Sequence, residues 1–149
     1  RNRAGFNTEV SASSGSCALL YIDLDDFKGI NDRLGHQAGD AVLVEVARRI
    51  RAVVRDQDTV GRLGGDEFAV LCPDLAAADI ADDIARRLVE SVSRPVSVGG
   101  QPVTVGASVG IAFGSHPSER SSLIRRADEA LYQAKAGGKG RVIVAPDPI

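Results

Sequence analysis

Two pairs of adjacent glycines constrain the fold of this chain more than any other feature of its sequence. Each pair separates two short segments whose composition is typical of β-strands. The pairs are Gly64-Gly65, between residues 59–63 and 67–72, and Gly99-Gly100, between residues 95–98 and 101–113. Adjacent glycines between strand-like segments mark tight hairpin turns, so we predict two antiparallel hairpins. A sheet built from hairpins differs from the parallel sheet of a doubly wound fold.

The rest of the chain alternates between strand-like and helix-like segments. Residues 17–23 are a short apolar run that favours a buried strand, and residues 141–144 are predicted to be the last strand. A short helix is predicted to end near Leu34, and three longer helices are predicted over about residues 40–54, 77–92 and 121–136. Helices interleaved with hairpins predict an α+β fold, with a central mixed, mainly antiparallel sheet of about five core strands plus a hairpin, flanked by helices.

Size and composition limit the classes of function. The 149 residues suit one domain, and the net charge of −2 argues against nucleic acid as a partner. No apolar run approaches the roughly 20 residues that cross a bilayer, so we expect a cytoplasmic domain without membrane contact. The chain contains no Met, which suggests a fragment of a longer protein that could carry a membrane anchor elsewhere. The two cysteines, Cys17 and Cys72, are predicted to be buried thiols.

Carboxylates cluster where predicted strands end. Three follow the first strand and two lie at the tip of the first hairpin: Asp23, Asp25, Asp26, Asp66 and Glu67. If that hairpin pairs beside the first strand, the two groups meet. Oxygen ligands from separate segments are what Mg²⁺ uses when a substrate phosphate completes its coordination shell. Alternatively, Asp25 or Asp26 caps the following helix and Glu67 is solvated.

Several separated motifs agree in order and spacing with one known family. They are residues 23–32 (DLDDFKGIND), Gly35-His36, Gly39-Asp40 and residues 62–68 (RLGGDEF). Together they resemble the GGDEF family of diguanylate cyclases, from Asn2-Arg3 to residues 135–141. The resemblance implies that residues 1–149 are a single GGDEF domain, similar in fold to nucleotide cyclases and cut from a multidomain signalling protein. The family condenses two GTP molecules into cyclic di-GMP and two pyrophosphates, with Mg²⁺ or Mn²⁺ as cofactor.

The resemblance also implies roles for the residues around the carboxylates. The metal ligands would be the Asp23 carboxylate, the Leu24 backbone carbonyl and Asp66. Either Asp66 or Glu67 would be the base that takes the proton of the attacking hydroxyl, and the sequence leaves that choice open. Lys28 lies one short helical step from the metal ligands, where it could stabilise negative charge in the transition state.

The substrate-binding residues implied by the resemblance are Phe27, Asn31, Asp40, Gly64, Gly65, Lys135 and Lys139. Asn31 and Asp40 match the pair that recognises guanine, because a carboxylate can accept from two adjacent donors that adenine lacks. Without the resemblance, Asp40 would be interpreted as the N-cap of its helix. Lys135 and Lys139 match two cations that contact phosphate. The family more often has Arg at position 139 and commonly Asn at position 140, where this chain has Gly140.

Two residues upstream of the first hairpin tip match the family's inhibitory site, where the product binds. Arg55 could stack on a guanine and Asp58 could accept from its Watson–Crick edge, although the same pair could be a salt bridge at a helix end. Each GTP supplies a nucleophile to the other, so the resemblance implies a homodimer with one GTP in each domain. The alternative function is a catalytically silent regulatory module that binds GTP or cyclic di-GMP.

Overall fold

The computed structural model describes residues 3–12, 15–75, 78–114 and 120–146, which contain five helices and seven strands. In chain order these are α1 (Arg3–Ala12), β1 (Cys17–Asp25), α2 (Phe27–Leu34), α3 (His36–Val53), β2 (Thr59–Arg62), β3 (Glu67–Pro73), α4 (Ala78–Val92), β4 (Val96–Val98), β5 (Gln101–Val103), β6 (Gly106–Gly114), α5 (Arg120–Ala136) and β7 (Val142–Val144). None of the described helices combines the length and hydrophobicity needed to cross a membrane.

The central sheet has five strands in the order β2-β3-β1-β6-β7. Its middle strand, β1, pairs antiparallel with β3 on one side and with β6 on the other. β2 pairs antiparallel with β3, and β7 runs parallel to β6. β4 and β5 form a separate two-stranded hairpin. The predicted α+β fold, a mixed and mainly antiparallel sheet plus a hairpin, is therefore confirmed.

Helices cover both faces of the central sheet. Successive side chains of β1 point to opposite faces, so Leu20 and Ile22 lie in one core while Leu19 lies in the other. The first core includes buried residues of α2, α3 and α4, and the second includes buried residues of α1 and α5. Because both faces of β1 are covered, its sequence is a continuous apolar run rather than an alternating one. Cys17 and Cys72 are both buried, as predicted.

Three elements differ from the sequence prediction. α1 is not predicted, because its fully buried apolar side chains, Phe6 and Val10, are too few to produce a periodic signal. α3 begins at His36, ahead of the predicted start at residue 40, so Asp40 lies inside the helix and is not its N-cap. The predicted strand 101–113 is two strands, β5 and β6, since the chain leaves the hairpin and enters the central sheet between them. Residue 77, predicted to be helical, lies outside the described residues.

Candidate active site

The register of the central sheet brings the two groups of carboxylates together. Asp23, near the end of β1, pairs directly with Glu67, the first residue of β3. One residue further along, the backbone N–H of Leu24 donates to the carbonyl of Asp66 at 3.1 Å. The first hairpin does pair beside the first strand, as the sequence analysis requires. We call the Asp23 carboxylate, the Leu24 carbonyl and Asp66 the acidic edge.

The Asp23 carboxylate has unusual electrostatics. Burial raises its pKa to about 6, the negative charges of Asp66 and Glu67 add to the rise, and the ammonium of Lys135 opposes it. Its Oδ1 atom is buried and accepts no hydrogen bond from the described residues. A buried carboxylate oxygen without a donor is rare, because desolvation is then uncompensated. This atom therefore suits a ligand that supplies positive charge.

One cation of the chain already contacts the acidic edge. Lys135, in the last turn of α5, donates from Nζ to the Leu24 carbonyl at 3.1 Å and lies 3.5 Å from Oδ2 of Asp23. The same ammonium donates to Oδ1 of Asp25 at 2.9 Å. Among the described residues, no group of three or more His, Cys, Asp or Glu side chains could hold a metal ion. A metal at the acidic edge would therefore need oxygen atoms from a substrate.

The two acids that follow Asp23 do not cap α2 with their side chains. Asp26 occupies the N-cap position with φ of 59°, makes no side-chain capping hydrogen bond, and instead accepts from Nζ of Lys139 at 2.8 Å. This hydrogen bond is the main reason why the pKa of Asp26 is lowered. Asp25 is buried and accepts from the Ser108 hydroxyl at 2.8 Å and from the Gly140 N–H at 3.0 Å. The capping alternative is therefore wrong for both residues.

The two acids of the hairpin tip have different surroundings. Glu67 forms an ion pair with Arg3 of α1 at 3.3 Å, and both side chains are partly exposed. Within the described part of the chain, no side chain or backbone group donates to the Asp66 carboxylate. Asp66 is therefore the acid that is available to accept a proton or bind a metal.

Arg62 holds the shape of the hairpin tip. Its guanidinium donates to the carbonyls of Gly64 and Gly65, both at 3.0 Å. The two glycines are exposed, and a Cβ atom added to either would meet no neighbour within 4 Å. Both predicted substrate-binding glycines thus lie at an open surface where a ligand can approach the backbone closely.

α2 presents two of the predicted residues in different ways. Lys28 is exposed in its first turn, close in the chain to the acidic edge. Phe27 is buried in the core, with 6% of its surface exposed. Contact between Phe27 and a substrate would therefore come from its backbone rather than its ring.

Of the two residues predicted to recognise guanine, Asn31 lies against Gly39, the residue before Asp40. A Cβ atom added to Gly39 would lie 1.7 Å from Oδ1 of Asn31, so the amide rests directly on the backbone of α3 beside Asp40. Asp40 is exposed and lines a cavity of about 500 Å³ between α3 and the β2–β3 hairpin. The other residues that line this cavity are Leu43, Val44, Ala47, Val60, Arg62 and Phe68. An apolar cavity with a carboxylate suits a flat base that has adjacent donors.

The predicted inhibitory pair forms the salt bridge that the sequence left as an alternative. The Asp58 carboxylate is fully buried and accepts from the backbone N–H of Arg55 at 2.8 Å and from its guanidinium at 2.7 Å. Arg55 also donates to the carbonyl of Pro73 at 2.9 Å, and 29% of its side chain is exposed. Without a ligand, the Asp58 carboxylate is held by Arg55, and its role as an acceptor for a guanine edge stays a prediction. Arg55 keeps an exposed surface.

Sequence reasoning missed three contacts of the site. Arg3 pairs with Glu67 across 64 positions of sequence, and Arg62 braces the hairpin tip. The third is the contact of Asp25 with Lys135, for which the sequence does carry a signal. Positions 23 and 25 of one strand face the same side of the sheet, so both carboxylates must face the helix that covers that side. The pairing of Arg3 with Glu67 depends on distant residues and has no local signal, whereas Arg62 contacts glycines two and three residues further along the chain.

Comparison with known proteins places this geometry in a family. A family model described as "Diguanylate cyclase, GGDEF domain" matches residues 2–141. The diguanylate cyclase TpbB of Pseudomonas aeruginosa is 46% identical over 144 residues, which cover 94% of this chain and 33% of TpbB. The chain spans between 18% and 33% of the length of the first curated relatives that it matches.

Solved structures agree with this assignment. The crystal structure of the GGDEF domain of YfiN (TpbB) from P. aeruginosa superposes with a TM-score of 0.91 at 40% identity, covering 99% of this chain and 98% of that one. The coiled coil and GGDEF domain of DgcB from Caulobacter crescentus, in complex with c-di-GMP, gives a TM-score of 0.89 at 33% identity and covers 97% of this chain and 81% of that one. The chain belongs to the GGDEF domain family of diguanylate cyclases.

Proposed function

We propose that this domain is the catalytic unit of a diguanylate cyclase, which binds one GTP and joins it to the GTP of a second copy to form cyclic di-GMP. The observation that carries the proposal is the meeting of Asp23 with the hairpin tip at the acidic edge, where one buried carboxylate oxygen has no donor among the described residues. Membership of the family and the named activity of TpbB support the same conclusion.

The donor atoms of the acidic edge fit Mg²⁺ or Mn²⁺. Asp23, the Leu24 carbonyl and Asp66 offer two carboxylates and a carbonyl, all hard oxygen ligands, from the end of β1 and the hairpin tip beside it. The unpartnered Oδ1 of Asp23 is the feature that favours a cation here. When bound with the triphosphate, such an ion offsets phosphate charge and favours ionisation of the attacking hydroxyl.

Three lysines of this chain would bind the triphosphate. Lys135 already contacts the acidic edge, and Lys139 lies nearby with its ammonium on Asp26. Lys28 is exposed at the start of α2. A triphosphate would attract all three, and its charge is greater than that of the carboxylates that now hold Lys135 and Lys139. Lys139 provides charge without the planar fork of Arg, so we expect weaker phosphate binding than Arg would give.

Asn31 and Asp40 would select guanine. The Asp40 carboxylate can accept from N1–H and the 2-amino group, and the Asn31 amide can donate to O6. Adenine offers neither the donors nor the acceptor in that arrangement, so its binding would leave both side chains unpaired. The neighbouring cavity supplies the apolar wall for the base.

The reaction requires two domains. The 3′-hydroxyl of each GTP attacks the α-phosphorus of the other, and each new P–O bond forms as the bond to pyrophosphate breaks. Asp66 would accept the hydroxyl proton, since its carboxylate has no donor in the described part of the chain while Glu67 is paired with Arg3. One domain holds only one GTP, so two copies must face each other and dimerisation controls the rate.

The product would also bind this chain away from the active site. DgcB, which shares this fold, has been crystallised with c-di-GMP. In this chain, the exposed surface of Arg55 could stack on a guanine, while Asp58 would keep Arg55 in place from beneath. Whether such binding inhibits the enzyme depends on the dimer.

The test is synthesis of cyclic di-GMP by the purified domain at high concentration with GTP and Mg²⁺, detected by mass. We expect product from the wild type and none from the Asp66→Ala, Glu67→Ala double variant, with initial rates that rise faster than linearly with enzyme concentration. Asp56→Asn, which changes an exposed acid in a turn, is the matched control and should retain activity.

Two outcomes would contradict the proposal. Rates that stay strictly proportional to enzyme over a wide dilution series would exclude a dimeric reaction centre. GTP binding without product, even when an N-terminal coiled coil forces two domains together, would identify a silent regulatory module instead.

A further inference from the structure

Asp25 is a buried carboxylate that the proposed reaction does not use. Only 9% of its surface is exposed, although it lies two residues from Asp23 at the end of β1. Both of its oxygens are occupied: Oδ1 accepts from Lys135 at 2.9 Å and from Ser108 at 2.8 Å, and Oδ2 accepts from the Gly140 N–H at 3.0 Å. Three donors of the chain thus occupy three of the roughly four acceptor positions of this carboxylate. Asp25 is thus unlike Asp23, whose Oδ1 accepts no hydrogen bond from the described residues.

The donors to Asp25 come from the segment that carries the phosphate-binding cations. Lys135 lies in the last turn of α5, and Gly140 lies in the turn that follows this helix. Ser108, fully buried on β6, connects the two because its hydroxyl donates to Asp25 and also accepts from the Gly140 N–H at 3.1 Å. A single carboxylate therefore ties β1, β6 and the end of α5 together.

The turn after α5 needs such an anchor. Lys139 has φ of 64° and Gly140 has φ of 60°, so two consecutive residues adopt the left-handed conformation. For a lysine this conformation is unfavourable and persists only where surrounding contacts fix it. The Gly140 N–H is held by Asp25 and Ser108, and the neighbouring side chain of Lys139 is held by Asp26.

We propose that Asp25 is a positioning residue that fixes Lys135 and the 137–140 turn in the place where they receive the triphosphate, and that it is not a metal ligand. This inference rests on the proposed binding of GTP, but it does not require catalysis. Removing the charge of Asp25 would take away the shortest contact of the Lys135 ammonium, which keeps those with Leu24 and Asp23, and would weaken one anchor of the turn. It would leave Asn31 and Asp40 unchanged. The loss should therefore fall on the phosphates of the nucleotide and not on its base.

The experiment measures binding of GTP and GMP to the isolated domain by calorimetry with Ca²⁺ present, in the wild type and in Asp25→Asn. We expect Asp25→Asn to weaken GTP binding by about tenfold, the size of one lost charge-assisted hydrogen bond, and to weaken GMP binding clearly less. Ser108→Ala, which removes one donor and fills a buried site with a similar volume, should show a smaller loss with the same preference for GTP. Asp32→Asn, an exposed acid on α2, is the control and should bind like the wild type.

A second measurement separates positioning from metal binding. In the Lys139→Met background, Asp25→Asn should weaken GTP binding by much less than in the wild type, because the two residues act through one turn. Titration of Mn²⁺ at saturating GTP should give the same midpoint for wild type and Asp25→Asn. A shifted Mn²⁺ midpoint, equal losses for GTP and GMP, or unchanged GTP binding would each overturn the inference. Absence of cyclic di-GMP from a wild type that binds GTP, even when an N-terminal coiled coil holds two domains together, would refute the proposed function alone.

Discussion

Replacing Asp23 with Asn should make the domain more stable and at the same time inactive. The raised pKa of Asp23, about 6 against an ordinary 3.8, means that the folded state binds a proton more tightly than the unfolded state does. The stabilising contribution of this group is therefore complete below pH 3.8 and is lost as the pH rises through 6. Above pH 6 the folded domain carries a poorly solvated charge at this position. Asn has the same shape and no charge.

The magnitude follows from the difference between the two pKa values. A shift from 3.8 to about 6 corresponds to at most about 3 kcal/mol, at roughly 1.4 kcal/mol for each pH unit. Asp23 is half-buried, with 22% of its side chain exposed, so water screens part of this effect. We expect Asp23→Asn to raise the free energy of unfolding at pH 8 by about 1 to 2 kcal/mol, or Tm by a few degrees, and to change it little at pH 4.

Urea unfolding followed by circular dichroism, at pH values between 4 and 8, measures this difference directly. The stability curves of wild type and Asp23→Asn should diverge as the pH rises, while Asp56→Asn should follow the wild type throughout. The same Asp23→Asn protein should make no cyclic di-GMP, because a proposed metal ligand is lost. Parallel stability curves, or lower stability of Asp23→Asn at pH 8, would refute the reasoning from burial and from the neighbouring acids.

Three further predictions concern other parts of the structure. Gly39→Ala should raise the KM for GTP at least tenfold without unfolding the domain, because its Cβ would displace the Asn31 amide; an unchanged KM in steady-state kinetics would exclude Asn31 from guanine binding. Arg49→Ala should lower the free energy of unfolding in urea by about 2 kcal/mol, since its guanidinium donates to four backbone carbonyls in the last turn of α4 and just after it. The exposed Arg48→Ala should cost less than about 0.5 kcal/mol. The Cys72 thiol, buried and with its pKa raised by burial to about 12, should react with a thiol reagent only as fast as the domain opens, and rapid labelling of native protein would contradict its burial.

Local patterns were sufficient to predict most of the architecture. Glycine pairs mark hairpins, and the apolar run of β1 indicates a strand covered on both faces, so the mixed sheet follows from short segments. The start of α3 was wrong because the sequence around Asp40 resembles a helix cap, while Gly35, with φ of 89°, is the residue where α2 ends and α3 begins. An Asp inside a helix cannot be distinguished by its neighbours in sequence from an Asp at the N-cap. α1 was missed because the burial of Phe6 and Val10 depends on packing against the sheet, which the local sequence does not reveal.

The candidate site was predictable only in part, for a reason that lies in sheet register. Sequence spacing placed Asp23 and Asp66 on separate elements, and their meeting depended on one pairing that the structure contains. The family resemblance predicts that Lys135 contacts phosphate, and the structure shows its ammonium on the acidic edge, where it balances the carboxylates. Any nucleotide that draws Lys135 towards its phosphates removes positive charge from Asp23 and so strengthens the demand for a metal ion at that edge. Binding of the triphosphate and binding of the metal should therefore reinforce each other, and this coupling follows from three-dimensional contacts that spacing along the chain does not reveal.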